Sequence, residues 1–337
     1  MFKVQFPGLD IGPFWIYDEF SVFGLFNLRF YSTIIALGMV LSVLYALWRF
    51  KANGLKMDTV LDYAVWAIPI GIVGARLYFV IFHMIEEPDM YFGGSFWDFW
   101  YNVVAVWEGG LAIYGGIIVG GFVIMAVALK KKTNPLKIID IVAPAVMFAQ
   151  CLGRWGNFFN FEAFGEANEG KFRMCLVDYN KDSYFASHSY NEYVSALEAK
   201  GYDPASTVAG VHPTFLYESL WNLLGTIIMI TTLIVAVYIL KVAKERRIEG
   251  FFFSFYMIWY GSGRMVIEGL RTDSLWLIPG VIRVSQLVAL ITLVIGVLLM
   301  AFLITRKVLQ LKKNIDIWQM FKDKIKSKKE AKNGTDN

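Results

Sequence analysis

VSQLVALITLVIGVLLMAFLIT, residues 284–305, runs for 22 residues without one Asp, Glu, Lys or Arg. At a rise of about 1.5 Å per residue it would extend about 33 Å as a helix, enough to cross the ~30 Å hydrocarbon core of a bilayer. Six other stretches have comparable length and apolarity: 22–48, 60–85, 110–129, 138–160, 219–240 and 250–270. Of these, 110–129 and 219–240 are also free of charge. One such run could be the buried helix of a large soluble core; seven in a chain of 337 residues point to a membrane protein. Composition agrees, with 57% apolar and 17% aromatic residues and only 18% charged, against about 25% charged in an average soluble domain.

The basic residues in the loops set an orientation, because Lys and Arg flanks are retained in the cytoplasm. The arm 1–21 holds one Lys and three acidic residues and lacks the apolar core and small-residue cleavage site of a removable signal peptide. Arg49, Lys51 and Lys56 follow the first stretch. Glu86, Glu87, Asp89, Asp98 and Glu108 follow the second; Lys130, Lys131, Lys132 and Lys137 the third; Lys241, Lys244, Arg246 and Arg247 the fifth. Residues 306–332 carry ten basic and three acidic side chains, leaving 22 against 25 elsewhere. The expected fold is therefore an all-α polytopic membrane protein: seven transmembrane helices, N-terminus outside, C-terminus cytoplasmic, and a small external cap. Its parts are an external arm 1–21, helices one to four over 22–160, the cap 161–211, helices five to seven over 212–305 and a basic cytoplasmic tail 306–337. Within the cap a short helix is expected over 191–200. The segment 95–107, with Phe96, Trp97, Phe99, Trp100 and Trp107, has the aromatic content of an interfacial helix. The tail reads as a solvated helix drawn to anionic lipid, with nothing of a nucleic-acid reader in it.

Ionisable groups inside a span are costly, and their depth carries information. Counting from the cytoplasmic ends, Arg76, Arg154 and Arg264 fall about 21–24 Å up their helices, in the outer half. Tyr31 and Tyr114 lie in the first turns of spans entering from outside, and His212, Tyr217 and Glu218 at the head of the fifth. Six spans thus deliver polar side chains to one level. Asp62 and Asp140, near cytoplasmic ends, read as interfacial. Arg264 and Glu268 are four apart and share a helix face, with Arg271 three beyond; an intrahelical salt bridge and an anion site fit this spacing equally. Arg154 lies in GRWGNFFN, 153–160, whose glycines permit close approach and whose Asn157 and Asn160 are too polar for a lipid-facing wall. Two arginines at that depth call for an anion, and guanidinium forks match phosphate oxygens bidentately. Cys151 and Cys175 are too few for a disulfide framework, and His83, His188 and His212 lack metal-ligand spacing, so no metal or cofactor is implied.

LRFY at 28–31, GARLYFV at 74–80, GGLAIYGG at 109–116, GRWGNFFN followed by Glu162 and Gly165, HPTFLYE at 212–218 and YGSGRMVIEGLR at 260–271 together resemble the prolipoprotein diacylglyceryl transferases. The resemblance implies a bacterial plasma-membrane enzyme whose active site faces the extracytoplasmic side. It would move diacylglycerol from phosphatidylglycerol to the lipobox cysteine of a prolipoprotein signal peptide, releasing glycerol phosphate. By motif position, Arg154 and Arg264 would hold the lipid headgroup, with Asn157, Asn160, Glu162 and Glu268 shaping the pocket and Tyr31, Arg76, His212, Glu218, Tyr260 and Arg271 nearby. Tyr114, His212 and Glu268 are the candidates to deprotonate the thiol. Many members carry His where this chain has Tyr114, and Gly is common where Phe161 stands. The rival class is a transporter or channel with an outward-facing anion site, which the missing internal repeat and the single level of polar groups disfavour; a non-catalytic lipid-binding scaffold is a third.

Overall fold

The computed structural model describes residues 1–23, 26–106, 110–179, 184–242, 247–272, 276–278 and 281–333. The chain opens with strands β1 (Phe2–Phe6), β2 (Ile11–Ile16), β3 (Glu19–Val22) and β4 (Phe26–Arg29). Helices α1 (Phe30–Ala52), α2 (Met57–Glu86), α3 (Pro88–Phe92), α4 (Phe96–Val104), α5 (Ile113–Lys130) and α6 (Pro135–Phe159) follow. Next come β5 (Ala167–Asn168), β6 (Cys175–Tyr179), α7 (Tyr184–Glu198), β7 (Gly210–Val211) and α8 (Thr214–Ile234), the last prolonged by one π turn over Val235–Ile239. The chain ends with α9 (Phe251–Glu268), β8 (Trp276–Ile278), β9 (Ile282–Arg283) and α10 (Val284–Asn333).

A helix answers each of the seven apolar stretches. Five are long and apolar enough to cross a membrane: Phe30–Ala52, Asp58–Ile85, Pro135–Phe159, Thr214–Val237 and Val284–Lys313. The protein is thus a mostly helical, multi-pass membrane protein. Helix α5 is shorter, and α9 spends part of its 18 residues on Arg264 and Glu268. Two expectations give way. The fold is not all-α, because short strands flank the helices. The first span starts at Phe30 rather than at 22, because Glu19–Val22 and Phe26–Arg29 pair as the antiparallel strands β3 and β4, whose backbone groups bond to each other.

The chain divides into two compact units, residues 18–156 and residues 1–17 with 157–337. In the first, α2 packs against α5 through glycines: a Cβ on Gly115 would lie 2.3 Å from the carbonyl of Gly74, and one on Gly74 2.5 Å from Val119 Cβ. Small residues let the two backbones touch, the usual route to helix association where lipid removes the hydrophobic drive. Toward the other helix ends Phe50, Val60, Tyr63, Ala128, Ile138 and Ile141 form a buried cluster, and Asp62 pairs with Lys131. Helix α4 starts on a capping box between Ser95 and Asp98. It leaves Phe96, Trp97, Trp100 and Tyr101 exposed, as an interfacial helix would.

In the second unit the N-terminal arm is not separate from the cap. Strand β1, FKVQF, alternates buried and half-buried residues and lies between β2 and β6, giving the order β2–β1–β6, antiparallel throughout. Phe2, Val4 and Phe6 drop into one core with Phe158, Phe161, Phe164, Leu176, Tyr193, Leu197, Val211 and Phe215. Fully burying a side chain of this size is worth about 1.5–3 kcal/mol, so this core fixes the turn after α6 and the head of α8. Helices α8 and α9 are joined by an indole clamp. Trp221 and Trp259 stack at 4.4 Å, and each indole Nε1 donates to the other's backbone carbonyl, at 2.8 and 2.9 Å.

Candidate functional site

Three sequence-distant segments of the second unit are knitted together by their backbones. The Gly165 N–H donates to the His212 carbonyl at 2.9 Å, the His212 N–H to the Glu166 carbonyl at 3.1 Å, and the Glu166 N–H to the Leu270 carbonyl at 2.8 Å. Gly165 also bridges Arg271. A Cβ there would fall 2.6 Å from the Leu270 carbonyl oxygen and 2.8 Å from His212 Cβ, so only glycine fits. The Thr214 hydroxyl adds a bond to the Ala163 carbonyl. The end of GRWGNFFNFE, the head of HPTFLYE and the end of YGSGRMVIEGLR therefore form one structural node.

Within the node Glu162 collects two amides: Asn157 Nδ2 donates to its Oε1 at 2.8 Å and Asn160 Nδ2 at 3.4 Å. The turn that allows this has left-handed residues at Phe161 (φ 50°) and Ala163 (φ 58°). A side chain in that conformation costs about 1–2 kcal/mol, which explains why glycine suits the position. The Phe161 ring offsets the strain by packing at 4.9 Å from Phe2, 5.3 Å from Phe164 and 5.8 Å from Tyr193.

Arg264 sits between two carboxylates. Its Nη1 donates to Glu218 Oε2 at 2.9 Å, and its Nη2 pairs with Glu268 Oε2 at 2.5 Å. Arg264 is 8% exposed, Glu218 3% and Glu268 2%. The sequence suggested an anion site or an intrahelical bridge; the structure has the bridge, and Glu218 from α8 joins it. Arg264 is therefore not an unpaired arginine waiting for phosphate, since its forks hold two acidic groups in register. Arg283 reaches the same place by donating to the Glu268 carbonyl.

His212 Nδ1 lies 3.3 Å from the Tyr217 hydroxyl. Burial, followed by the nearby Lys200 cation, pushes the imidazole below its usual range, and Glu166 opposes this only partly. Lys200 itself pairs with Glu166 at 2.9 Å. The ring is therefore neutral at physiological pH and can accept a proton. Cys175 is a buried donor to the Ala209 carbonyl at 3.3 Å, its thiol pushed up to about 11 by burial. Tyr260 stacks on Tyr256 along α9 at 5.8 Å.

The first unit holds the remaining candidates. Arg154 is half-buried near the end of α6. Tyr31 opens α1, and its ring occupies the space a Cβ on Gly156 would need, at 2.6 Å. Tyr114 is in the first turn of α5, with its side chain outside the described set. Arg76 is 8% exposed. It donates Nε to the Val103 carbonyl at 3.0 Å, Nη2 to Asn102 at 2.7 Å and Nη1 to Gly110 at 3.1 Å, its guanidinium 5.5 Å from the Phe79 ring. The Ala112 N–H meanwhile donates to the Ala75 carbonyl at 3.1 Å. Arg76 thus holds the end of α4 and the Gly110 backbone beside α2.

Sequence reasoning named Glu218 but missed Asn222 and Thr226, which continue a buried polar column below it on α8, and the buried Ser254 on α9. The column was visible as polar residues at spacing four, which puts them on one face of the helix.

The prolipoprotein diacylglyceryl transferase family model matches residues 19–302. Proteins from Streptococcus pyogenes serotypes M5 (strain Manfredo), M49 (strain NZ131) and M1, each called phosphatidylglycerol–prolipoprotein diacylglyceryl transferase, are 37% identical over 287 residues. That covers 84% of this chain and 93% of each relative. The match spans both units and every segment that meets at Gly165 and Arg264, and on it the chain belongs to the prolipoprotein diacylglyceryl transferase family.

Proposed function

We propose that the protein transfers the diacylglyceryl group of phosphatidylglycerol to the cysteine thiol of a prolipoprotein lipobox, forming a thioether and releasing glycerol phosphate. The observation that carries this reading is the node at Gly165, which gathers three motif segments of the family around Glu162, His212 and the Glu218–Arg264–Glu268 set. All seven apolar helices are assigned as spans, with the N-terminus outside, the C-terminus cytoplasmic and the site toward the extracytoplasmic side of a bacterial plasma membrane. The alternating Lys/Arg content of the loops supports that assignment.

The reaction breaks the bond between the lipid's glyceryl carbon and a phosphate oxygen and forms a carbon–sulfur bond in its place. A free thiol has a pKa of about 8.5, so a base must take its proton as it attacks. His212, neutral and bonded to Tyr217, is assigned that role. Negative charge then gathers on the departing phosphate, where a preplaced guanidinium stabilises it; Arg154 is assigned there. Arg264 orients Glu218 and Glu268 and reaches the lipid glycerol when one of its carboxylate bonds is exchanged. Asn157, Asn160 and Glu162 are assigned to the polar wall of the headgroup site, with Tyr260 and Arg271 on the same unit beside them. Arg76 positions the backbone that leads into Tyr114.

Purified protein in phosphatidylglycerol vesicles with a synthetic lipobox peptide, followed by mass spectrometry, tests the reading. A diacylglyceryl thioether is expected, absent for an Arg154→Ala protein that still inserts and folds. Anion flux across the vesicles with no adduct would replace it with the transporter class.

A further inference from the structure

Asn222 is 0% exposed, and neither its amide nitrogen nor its amide oxygen has a hydrogen-bond partner among the described residues. It lies one helical turn past Glu218 on the same face of α8, roughly 12 Å along the helix from Thr214 at ~1.5 Å per residue. The next polar residue of the column, Thr226, gives its hydroxyl to the Asn222 backbone carbonyl at 2.8 Å and is spent there. Polar side chains between membrane helices commonly serve as glue, but glue requires a partner across the interface. An unsatisfied carboxamide in the dry part of a span is costly, because no water stands in for the missing bonds.

A primary carboxamide offers a donor and an acceptor side by side, the complement of a peptide group, which presents C=O and N–H together. A lipid ester could satisfy only the nitrogen, because it has no hydrogen to give the oxygen. An extended peptide entering a membrane site brings the opposite problem, since its backbone groups need partners there. We propose that Asn222 pairs with one backbone peptide unit of the prolipoprotein segment around its acceptor cysteine, and so holds that segment extended one turn from the Arg264 carboxylates. This rests on the transferase reading above and adds a residue that binds the peptide rather than the lipid.

The experiment uses the full-length protein, phosphatidylglycerol vesicles and a set of lipobox peptides in which single backbone amides flanking the cysteine are replaced by esters, removing one N–H each. For the unmodified protein one such ester is expected to lower kcat/KM for the peptide roughly three- to tenfold, the worth of one hydrogen bond. Asn222→Leu is expected to show a similar loss with the parent peptide, no further loss with that ester, and an unchanged KM for phosphatidylglycerol. Leu keeps the branching of Asn at Cγ and needs no hydrogen-bond partner, though it is larger; Asn222→Ala, which adds no volume, supplies the same comparison if the Leu protein is not recovered. Equal sensitivity of parent and variant to every ester would overturn the proposal. So would loss, in the variant, of discrimination between diester and diether phosphatidylglycerol, which would assign the amide to the lipid. Failure of the transferase reading looks different: the unmodified protein would then give no adduct with any peptide.

Discussion

Arg76 and Arg264 are the same residue type, equally buried, and each lies on a helix packed closely against its neighbours, yet they are spent differently. Arg76 gives its three nitrogens to backbone carbonyls at the end of α4 and at Gly110. Arg264 gives two of its nitrogens to the carboxylates of Glu218 and Glu268. The first fixes the path of the chain. The second fixes the position of ionisable groups, which are what chemistry uses. Residue type and burial do not distinguish the two arginines; the partners do.

The largest expected effect breaks the second arrangement. Arg264→Ala takes the guanidinium away from two buried carboxylates, and removing one partner of a buried pair costs about 3–5 kcal/mol. Arg264→Lys keeps the charge without the fork that reaches both acids, and at least a hundredfold loss of kcat in protein that still melts cooperatively is expected. Near-normal turnover would remove Arg264 from the site. For Arg76→Lys the balance reverses: a clear drop in melting temperature with less than a tenfold change in kcat, measured on the same preparations. Should kcat fall as far as for Arg264→Lys, Arg76 would belong with the chemistry.

Phe161→Gly sets two local quantities against each other. Relief of the left-handed strain returns about 1–2 kcal/mol, while loss of a buried aromatic ring costs about 3–5 kcal/mol. A net loss of roughly 2 kcal/mol is expected in denaturant titration, and a gain would mean that the ring contributes little to the cap core.

The pH profile is a finer probe. With His212 as base, activity is retained as long as the imidazole is neutral and falls as pH drops through its depressed folded-state value. The acid limb of kcat/KM is therefore expected below the ordinary histidine value of about 6.5. Removing the cation with Lys200→Ala should move that limb upward, and a limb indifferent to both Lys200 and His212 would point to another base. Smallest of all, Gly153→Ala adds a methyl with no atom within 4 Å, whereas Gly156→Ala meets the Tyr31 ring. The first should change stability by no more than ~1 kcal/mol, the cost of Gly against Ala in a helix, and the second should cost more than that.

Much of this was legible in the sequence because a bilayer imposes one length and one polarity on every span. The seven apolar stretches as helices, the helix near residue 100 and the cap helix followed from local pattern, whereas the grouping of Glu162 with Asn157 and Asn160 followed from the family resemblance. Glu218 as partner of Arg264 did not, because it lies 46 residues away and only the packing of α8 on α9 joins them. The strand FKVQF carried a period of two, but its partner β6 comes from the cap, a pairing no local pattern reveals. The span reading of 22–48 swallowed a hairpin because strand and span residues are equally apolar there.

The paired indoles of Trp221 and Trp259 leave no slack between the helices that carry Glu218 and Arg264. Gly263 enforces this, since a Cβ there would lie 2.2 Å from the Trp221 nitrogen. With the two helices locked at this seam, the admission of a bulky diacylglyceryl donor and the exit of its product fall to seams other than the one between α8 and α9.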